Sequence, residues 1–402
     1  MNSTATSAAT PTAHRPASWA GVASLGLGIF ALVMAEFLPA SLLPRMADDL
    51  GVTAGAAGQS VTVTAITAGI SGLLLPVLLP RADRRRVLIA LTGLAALSNL
   101  LVAAAPSLTV LLASRALLGL ALGGFWALAI ATAAQLVPVD RLGRAMTVIN
   151  SGVALATIAA VPLGTWLGEL WGWRQVFLLG AAAGVAALLL QAAVLPRVAP
   201  GAANGLRALG STLRSGVLLL GLVAILLIAG GHFTGFTYIR PAAEAVSGIG
   251  SAGLAALLLV YGIANVLGTA LSGILADRAL RASALLFPSA LGLGMLAMLA
   301  TGASPAGLFA AAALWGFGFG GIPTTVQTWG ARTEPDRLEQ VGGLMSTVFQ
   351  IAIASGAVAG GLLVDGVTAS APLAAGGTAA VLGGLLLASL RRHRRTGGGT
   401  TA

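Results

Sequence analysis

Two charged side chains lie inside long apolar stretches of this sequence, where an ionised group is costly. Glu36 falls in the stretch 19–43, about seven residues before its end, and Arg115 falls about seven residues into the stretch 108–132. If both stretches are helices that cross an apolar layer in opposite directions, the two charges lie roughly 10 Å below one surface at ~1.5 Å per residue. They can therefore meet. Such a pair predicts either a carboxylate that exchanges protons beside a guanidinium or a static ion pair that fixes two helices.

Aromatic and polar residues in similar stretches could orient a small ligand. Phe125 and Trp126 could stack on a flat heterocycle. Because they are consecutive on a helix, about 100° apart, we expect one to face the ligand and the other to pack on a neighbouring helix. The groups that could hydrogen-bond a ligand are Asn150, His232, Thr234, Tyr238, Thr324, Gln327 and Gln350. Threonines in apolar helices often bond their own helix, and many kinds of small molecule need such groups, so this set leaves the ligand open.

Several kinds of chemistry are excluded by what the sequence lacks. It contains no cysteine and no lysine, so it has neither a thiolate nucleophile nor a phosphate-binding GxxxxGK[ST] loop. His14, His232 and His393 are far apart, which argues against a metal site. We therefore expect a protein that is not an enzyme and uses no cofactor. Its energy source would be an ion gradient, because this chain cannot bind ATP through that loop.

These residues are carried by a chain that is apolar almost throughout. Hydrophobic residues make up 57% of the 402 residues, charged residues make up 8%, and the mean hydropathy is +0.94. A soluble core cannot absorb that much apolar surface. Apolar runs of about 20 residues predict twelve membrane-spanning helices. Their approximate extents are 19–43, 57–79, 87–105, 108–132, 144–168, 175–195, 216–239, 251–274, 283–302, 305–328, 340–363 and 371–390.

The sequence repeats itself after about half its length. The stretch LLGLALGGFWALA at 117–129 returns as LWGFGFGGIPTTV at 314–326, and its glycines match at a constant offset of 197 residues. The same offset carries Arg84 onto Arg281. Two parallel copies, each running through apolar helices, predict a two-lobed membrane protein of the kind from which alternating-access transporters are built.

The arginines are distributed unevenly between the two ends of the predicted helices. Eighteen fall in the tails and loops at one end, whereas the loops at the other end hold three, Arg45, Arg174 and Arg240. Cytoplasmic loops are enriched in Lys and Arg, so we expect both termini in the cytoplasm. The first apolar run is too long for a signal peptide, and we expect no cleaved signal. These arginines are spread over short loops between apolar helices and do not form the clustered basic surface that nucleic-acid binding requires.

Polar segments divide the chain into five predicted parts. The longest interior polar break should be the linker between the two lobes, and the Gly/Thr-rich end of the chain should be disordered. The parts are a cytoplasmic tail 1–18, an N-terminal six-helix lobe 19–195, a cytoplasmic linker 196–215, a C-terminal six-helix lobe 216–390 and a cytoplasmic tail 391–402.

Four motifs resemble those of the drug:proton antiporter branch of the major facilitator superfamily, most closely its bacterial purine-ribonucleoside efflux transporters. They are EFLPASLLPRMADDLGVTAGAAGQSVTVTA at 36–65, SRALLGLALGGFWALA at 114–129, VPLGTWLGELWGWR at 161–174 and FTYIRP at 236–241. The resemblance implies an all-α membrane fold of twelve helices in two six-helix lobes, with the first and fourth helix of each lobe facing a central cavity. It also implies that Arg115, in an RxxLG pattern, takes part in proton coupling with Glu36.

A cytoplasmic-loop signature of the superfamily, G-x-x-x-D-R-x-G-R-R, implies an electrostatic latch between helices. The first lobe departs from it, because Pro80 occupies the aspartate place while Arg81 and Arg84 remain. We expect either that the second copy carries most of the latch or that Asp83 substitutes locally. Arginines that only set the topology are the competing interpretation. The second lobe keeps more of the signature, namely Gly273, Asp277, Arg278 and Arg281.

The stretch 151–168 resembles the antiporter motif of the superfamily. In that motif glycine and proline bend the fifth helix at the interface between lobes, which gives Pro162 and Gly164 a gating role here. Val161 stands where the motif has a glycine before its proline, so the match is incomplete. The motif favours export over import.

Together the residues and the resemblance predict a proton-coupled secondary transporter of the bacterial inner membrane. It would work as a monomer in the lipid bilayer, bind a small-molecule substrate and protons, and export purine ribonucleosides. A multidrug or chloramphenicol-type drug:proton antiporter is the alternative. A channel or a non-transporting membrane scaffold is a second class of alternative, and the duplication with its buried charges favours a carrier.

Overall fold

The computed structural model describes residues 17–200, 210, 212–239, 242–243, 251–301 and 304–390. Within them the chain forms twelve long helices, each long and apolar enough to cross a membrane, which confirms the predicted all-α fold. The first lobe contains α1 (Trp19–Leu50), α2 (Ala54–Leu78), α3 (Arg84–Ala103), α4 (Leu108–Leu136), α5 (Leu142–Trp171) and α6 (Trp173–Val194). The second lobe contains α7 (Gly216–Phe236), α8 (Ser251–Arg278), α9 (Leu280–Ala300), α10 (Pro305–Thr333), α11 (Leu338–Gly366) and α12 (Ala371–Ser389).

The two lobes pack their helices in the same way. In the first lobe α2 packs on α4, α1 on α5 and α6, and α3 on α6; in the second lobe the related pairs are α8 with α10, α7 with α11 and α12, and α9 with α12. The lobes meet through α5 with α8 and through α2 and α4 with α11. The predicted tails up to residue 16 and from 391 on, with most of the linker (201–209 and 211), lie outside the described residues.

Glycines shared by the two copies explain why the repeat is visible in the sequence. A Cβ on Gly119 or Gly123 of α4 would overlap the main-chain carbonyls of Thr64 and Ala68 on α2. The repeat-related glycines of α10 lie against α8 in the same way. Small residues allow helix backbones to approach this closely in a membrane. The repeated motif is therefore the contact surface of one helix pair in each lobe.

The first helix is longer than its apolar run. It continues beyond residue 43 to Leu50, where Gly51 ends it with φ 63°. The added turns are held by polar contacts at the end of α5 and the start of α6: Arg45 donates to the Gly168 carbonyl, and Asp49 pairs with Arg174. Hydropathy marks where the helix leaves the apolar layer, whereas these contacts decide where it ends.

The chain that follows α6 turns back onto the first lobe. The amide of Arg84 donates to the Val198 carbonyl at 3.0 Å, and the Gln135 side chain donates to the Ala199 carbonyl at 2.9 Å. Arg84 begins α3 and Gln135 ends α4, so residues 198–199 cover the end of the first lobe at the face where the arginine-rich loops lie. We call this end of the molecule the arginine-rich face.

Candidate functional site

Glu36 and Arg115 lie side by side, but they do not form an ion pair. The Arg115 guanidinium is fully buried and donates to the main-chain carbonyls of Ala35, at 2.8 Å, and of Glu36, at 3.3 Å. Among the described residues no carboxylate comes within 4.0 Å of it, and its Nε has no partner. The static pair that fixes two helices is therefore not what joins α1 to α4 here. The joining contact runs from the guanidinium to the backbone of α1.

This geometry places a buried cation beside a half-buried carboxylate that is not committed to it. An uncompensated charge in a membrane span is costly, so the negative form of Glu36 lowers the electrostatic cost of Arg115 even without direct contact. Because the guanidinium is held by main-chain carbonyl oxygens, its contact with α1 does not depend on the charge of Glu36. The arrangement can therefore change the charge of one residue without dismantling the helix contact.

The two consecutive aromatic residues of α4 have different surroundings. Phe125 is fully buried in the first lobe, where its ring lies against Gly28 of α1. Trp126 is half-buried, and its main-chain carbonyl lies at Gly342 of α11, so this turn of α4 lies at the interface between the lobes. The burial separates the two as their spacing predicts. Phe125, which we expected as a possible stacking residue, is not accessible to a ligand in this conformation.

Three of the polar candidates bind one another across the lobes. The Asn150 amide on α5 donates to the Thr324 hydroxyl at 3.1 Å and to the Gln327 carbonyl oxygen at 2.7 Å, both on α10. The Asn150 Oδ1 atom is buried without a partner, as is the Nε2 atom of Gln350 on α11. A buried polar atom that lacks a hydrogen-bond partner destabilises the conformation that contains it by roughly 1–3 kcal/mol. The cluster could therefore exchange its internal bonds for bonds to a polar ligand.

His232 belongs to an aromatic cluster inside the second lobe. Trp315 donates its indole N–H to the Nδ1 atom of His232 at 3.0 Å, so this imidazole nitrogen is the unprotonated one. The imidazole stacks on Phe319 with ring centroids 3.7 Å apart, and on Phe236 at 5.1 Å. Tyr261 of α8 lies on the same cluster. His232 is thus held as a neutral ring, with only its other nitrogen left to donate.

The other two candidates in this part of the chain contact the protein itself. Thr234 donates to the Gly230 carbonyl of its own helix, the alternative that the sequence left open. Tyr238 lies just beyond the end of α7 and donates to the Ala357 carbonyl of α11 at 3.1 Å. In this conformation neither hydroxyl offers its proton to a ligand.

A latch joins the lobes at the arginine-rich face through the second copy of the loop signature. The Asp277 carboxylate, at the end of α8, accepts from the backbone amides of Gly143 at 2.6 Å and Arg144 at 3.1 Å, in the first turn of α5. Helix N-terminal amides are favourable partners for a carboxylate. Arg144 and Arg332 add ion pairs at 3.4 and 3.5 Å. Gly273 lets α8 approach, because a Cβ there would overlap Arg144 and Thr147.

A second latch replaces the missing aspartate of the first copy. Arg84, at the start of α3, forms a bidentate pair with Glu339 of α11, with N–O distances of 2.6 and 2.7 Å. Both side chains are buried, at 0% and 2% exposure. The Arg84 guanidinium also donates to the Leu79 and Ala82 carbonyls, so each of its three nitrogens has an acceptor. An offset of 196 residues carries Gly143 onto Glu339, so Glu339 occupies in the second lobe the place that Gly143 occupies in the first.

One of the two alternatives for this face was wrong. Asp83 does not replace the missing aspartate, because its carboxylate caps α3 by accepting from the Arg85 amide at 3.0 Å and lies 3.4 Å from the Val198 amide. The second copy of the signature supplies the Asp277 latch, and the sequence did not anticipate the additional pair of Arg84 with Glu339. Arg81 and Arg278 are exposed, as expected of arginines that set topology.

The antiporter stretch lies within α5, with Pro162 inside the helix and Gly164 buried. The Pro162 side chain lies outside the described residues. At Gly168, one turn further on, a Cβ would overlap Leu42, so this part of α5 packs closely on α1. This is the close-packing role that small residues have in membrane helices.

A family model for the major facilitator superfamily matches residues 25–357. The chain belongs to that superfamily. Its members are transporters, so the expectation that this chain is not an enzyme is confirmed, and twelve apolar helices make it a multi-pass membrane protein. Relatives include the purine ribonucleoside efflux pump NepI of Escherichia coli O1:K1, which is 38% identical over 94% of this chain and 96% of its own length. The transcription regulatory protein OpdE of Pseudomonas aeruginosa is 37% identical over 91% of this chain and 92% of its own length.

Solved structures show the same fold at low sequence identity. The human organic anion transporter MFSD10 matches with a TM-score of 0.75 and 18% identity, over 93% of this chain and 100% of that one. The proton:xylose symporter XylE, bound to 6-bromo-6-deoxy-D-glucose, matches with a TM-score of 0.71 and 14% identity, over 92% and 94%. These likenesses show the fold.

The sequence missed Glu339 and the aromatic partners of His232. Glu339 stands one residue before the predicted start of its span and looked like an ordinary loop charge. The sequence signal nearest to it is the pairing of Asp140-Arg141 with Asp336-Arg337 at an offset of 196, which puts Glu339 at the place of Gly143 in the first copy. That offset does not by itself identify Arg84 as its partner. Trp315 and Phe319 lie inside the repeated motif, which predicts close helix packing but does not predict their contact with His232.

Proposed function

We propose that the protein exports purine ribonucleosides across the bacterial inner membrane in exchange for protons, as a monomer with both termini in the cytoplasm. The observation that carries this proposal is its similarity, over nearly the whole chain, to relatives named as purine ribonucleoside efflux pumps. The excess of arginine at one face supports the orientation. In that orientation the two latches close the cytoplasmic side.

Glu36 is the proposed proton carrier and Arg115 its fixed electrostatic partner. The half-buried carboxylate lies next to a guanidinium that is bound to carbonyl oxygens rather than to it. Proton binding and release at Glu36 would therefore change the charge beside α4 while the α1–α4 contact persists. An alternating-access carrier needs a site that can bind a proton on one side and release it on the other.

The proposed substrate site combines the ring of Trp126 with the cluster of Asn150, Thr324 and Gln327, and with Gln350. Both parts lie at the interface between the lobes. A nucleoside has a flat base for stacking and ribose hydroxyls for the amides. Phe125, Thr234 and Tyr238 are occupied within the protein in this conformation, and His232 contributes at most one N–H donor.

The direct test is uptake into inverted membrane vesicles under an imposed proton gradient, with labelled inosine, guanosine and chloramphenicol compared. Gradient-dependent uptake of the nucleosides supports the proposal. Uptake of chloramphenicol alone would favour a drug antiporter, and import under the reversed gradient would contradict the direction. Accelerated exchange in proteoliposomes would exclude a channel or a scaffold.

We expect purine ribonucleosides to compete for the site better than free bases do. A site that bonds ribose leaves those groups unpaired when ribose is absent, at a cost of ~1–3 kcal/mol for each buried group. Hypoxanthine should then bind at least about tenfold more weakly than inosine, since 1.4 kcal/mol corresponds to a factor of ten. The measurement is competition against labelled inosine. Equal potency of hypoxanthine, or stronger competition by chloramphenicol, would support the multidrug alternative.

Replacing Trp126 by alanine should weaken nucleoside binding by roughly 1–3 kcal/mol, the range found for stacking of a base on an aromatic ring. Trp166→Ala is the matched control, because Trp166 is 58% exposed on α5. Apparent affinity for inosine would be measured for both variants in proteoliposomes. Unchanged affinity in Trp126→Ala would show that Trp126 does not stack on the ligand.

A further inference from the structure

A cavity of about 590 Å³ opens at the arginine-rich face of the second lobe. It lies between α7, α9, α10 and α12 of the second lobe, and Arg332 of the Asp277 latch forms part of its lining. Its polar lining is formed by two arginines and a threonine, and the remaining lining is apolar. The residues that matter here are Arg281, Arg332 and Thr333 on the polar side, and the partly exposed Val217, Leu280 and Leu390 on the apolar side.

The two arginines give the cavity a net positive charge. Arg281 is exposed in the first turn of α9, and no described carboxylate pairs with it. Arg332 donates to the Asp277 carbonyl at 3.0 Å and lies 3.5 Å from its carboxylate. That carboxylate is already bound by the backbone of α5 and by Arg144. The charge of Asp277 is therefore largely neutralised by these contacts, and Glu334, which follows Thr333, pairs with Arg337 at 3.8 Å.

The corresponding place in the first lobe is neutral and covered. The repeat offset of 197 carries Arg281 onto Arg84 and Arg332 onto Gln135. Arg84 is committed to Glu339, and Gln135 donates to the Ala199 carbonyl of the chain that covers this end of the lobe. The basic cavity is thus a property of the second lobe and not a consequence of the repeated fold.

Charge decides between the possible occupants. The chain that follows α12 begins with Arg391, Arg392, His393, Arg394 and Arg395, so its charge has the same sign as that of the cavity. A free phosphate would pair with the guanidinium groups but would leave the partly exposed Val217, Leu280 and Leu390 side chains uncovered. A phosphate that carries acyl chains satisfies both parts, because arginine binds phosphate oxygens in a bidentate manner and the acyl chains cover the apolar side chains.

We propose that this cavity binds the headgroup phosphate of an anionic membrane phospholipid. Arg281 is the main ligand of the phosphate, Arg332 assists from the side of Asp277, and the acyl chains lie along the apolar lining. Basic pockets between membrane helices at a cytoplasmic face have the charge and depth that such headgroups require.

The test measures lipid binding to the purified full-length protein by native mass spectrometry, with phosphatidylglycerol, phosphatidylcholine and inorganic phosphate as probes. Arg281→Gln should weaken phosphatidylglycerol binding about fivefold, the factor that corresponds to ~1 kcal/mol for one arginine near a membrane surface. Arg281→Lys should retain most of the binding. The matched control is Arg86→Gln, which removes an exposed arginine from the same face of the first lobe.

Three results would overturn the proposal. Equal losses in Arg281→Gln and Arg86→Gln would show that the face attracts lipid without a defined site, and so would equal binding of phosphatidylcholine. Displacement of phosphatidylglycerol by inorganic phosphate would identify a free anion as the ligand. Binding that appears only after removal of residues 391–402 would identify the tail as the occupant. None of these results depends on transport, so they leave the proposed export function untouched.

Discussion

Glu36→Gln should abolish gradient-driven efflux while the protein remains folded and inserted. Glutamine fills the same space and keeps hydrogen-bonding capacity, but it cannot bind and release a proton in the transport cycle. The Arg115 contact to α1 uses main-chain carbonyls, so the substitution leaves it in place. Efflux would be measured in vesicles with matched expression and an imposed proton gradient. Loss of the gradient response should be essentially complete.

The control for this prediction is Glu169→Gln. Glu169 is 60% exposed and pairs with Arg45 at 3.8 Å, outside the apolar layer, so its replacement should leave efflux unchanged. Substrate counterflow in proteoliposomes separates coupling from binding, because exchange without a gradient needs no net proton movement. We expect Glu36→Gln to retain counterflow. Wild-type efflux in this variant would exclude Glu36 as the proton carrier.

Glu339→Gln should shift the protein away from the conformation that is closed at the arginine-rich face. The substitution leaves the Arg84 guanidinium buried without its carboxylate, and removing one partner of a buried pair costs about 3–5 kcal/mol. The cost is avoided if the lobes separate and water reaches Arg84. The chain has no cysteine, so Ser346→Cys, on α11 next to Gly72 of α2, is a specific reporter. Its labelling rate by an impermeant maleimide should rise at least tenfold.

Two further variants make this prediction decisive. The charge exchange Arg84→Glu with Glu339→Arg restores a pair at the same place and should return the labelling rate toward the wild type. Glu334→Gln removes a nearby carboxylate that pairs with Arg337 at 3.8 Å within the same turn, and it should have no effect. Equal labelling in Glu339→Gln and Glu334→Gln would show that the buried pair does not hold the face closed.

The helices could be predicted from the sequence because their spans follow from a local property, apolar length. Glycines at a constant offset mark α4 and α10 as closely packed helices, but they do not reveal that α2 and α8 are the partners. The depth of Glu36 and Arg115 could also be predicted by counting residues along two helices. The acceptors of Arg115 could not, because a guanidinium can reach either a carboxylate or a carbonyl and only the packing of α1 on α4 decides between them.

Contacts between the lobes were the least predictable part. Glu339 binds Arg84 from 255 residues away, and no local pattern distinguishes it from a loop charge. Which of Phe125 and Trp126 is buried also depends on distant helices. Their spacing predicts that the two side chains point in different directions, but the positions of α1 and α11 decide which one is enclosed. Asn150 and Gln327 were selected as ligand donors for their chemistry, whereas the approach of α5 to α10 makes them partners of each other.

The two latches have made the halves of this duplicated protein chemically distinct. Both carboxylates, Asp277 and Glu339, belong to the second lobe, and the groups that bind them belong to the first. If two copies of the first lobe faced each other, Arg84 of one copy would lie opposite Gly143 of the other, and no carboxylate would be there to pair with it. Two second lobes would bring Asp277 against Glu339. The two halves are therefore complementary to each other but not to themselves, so a copy of one half in place of the other would form neither latch.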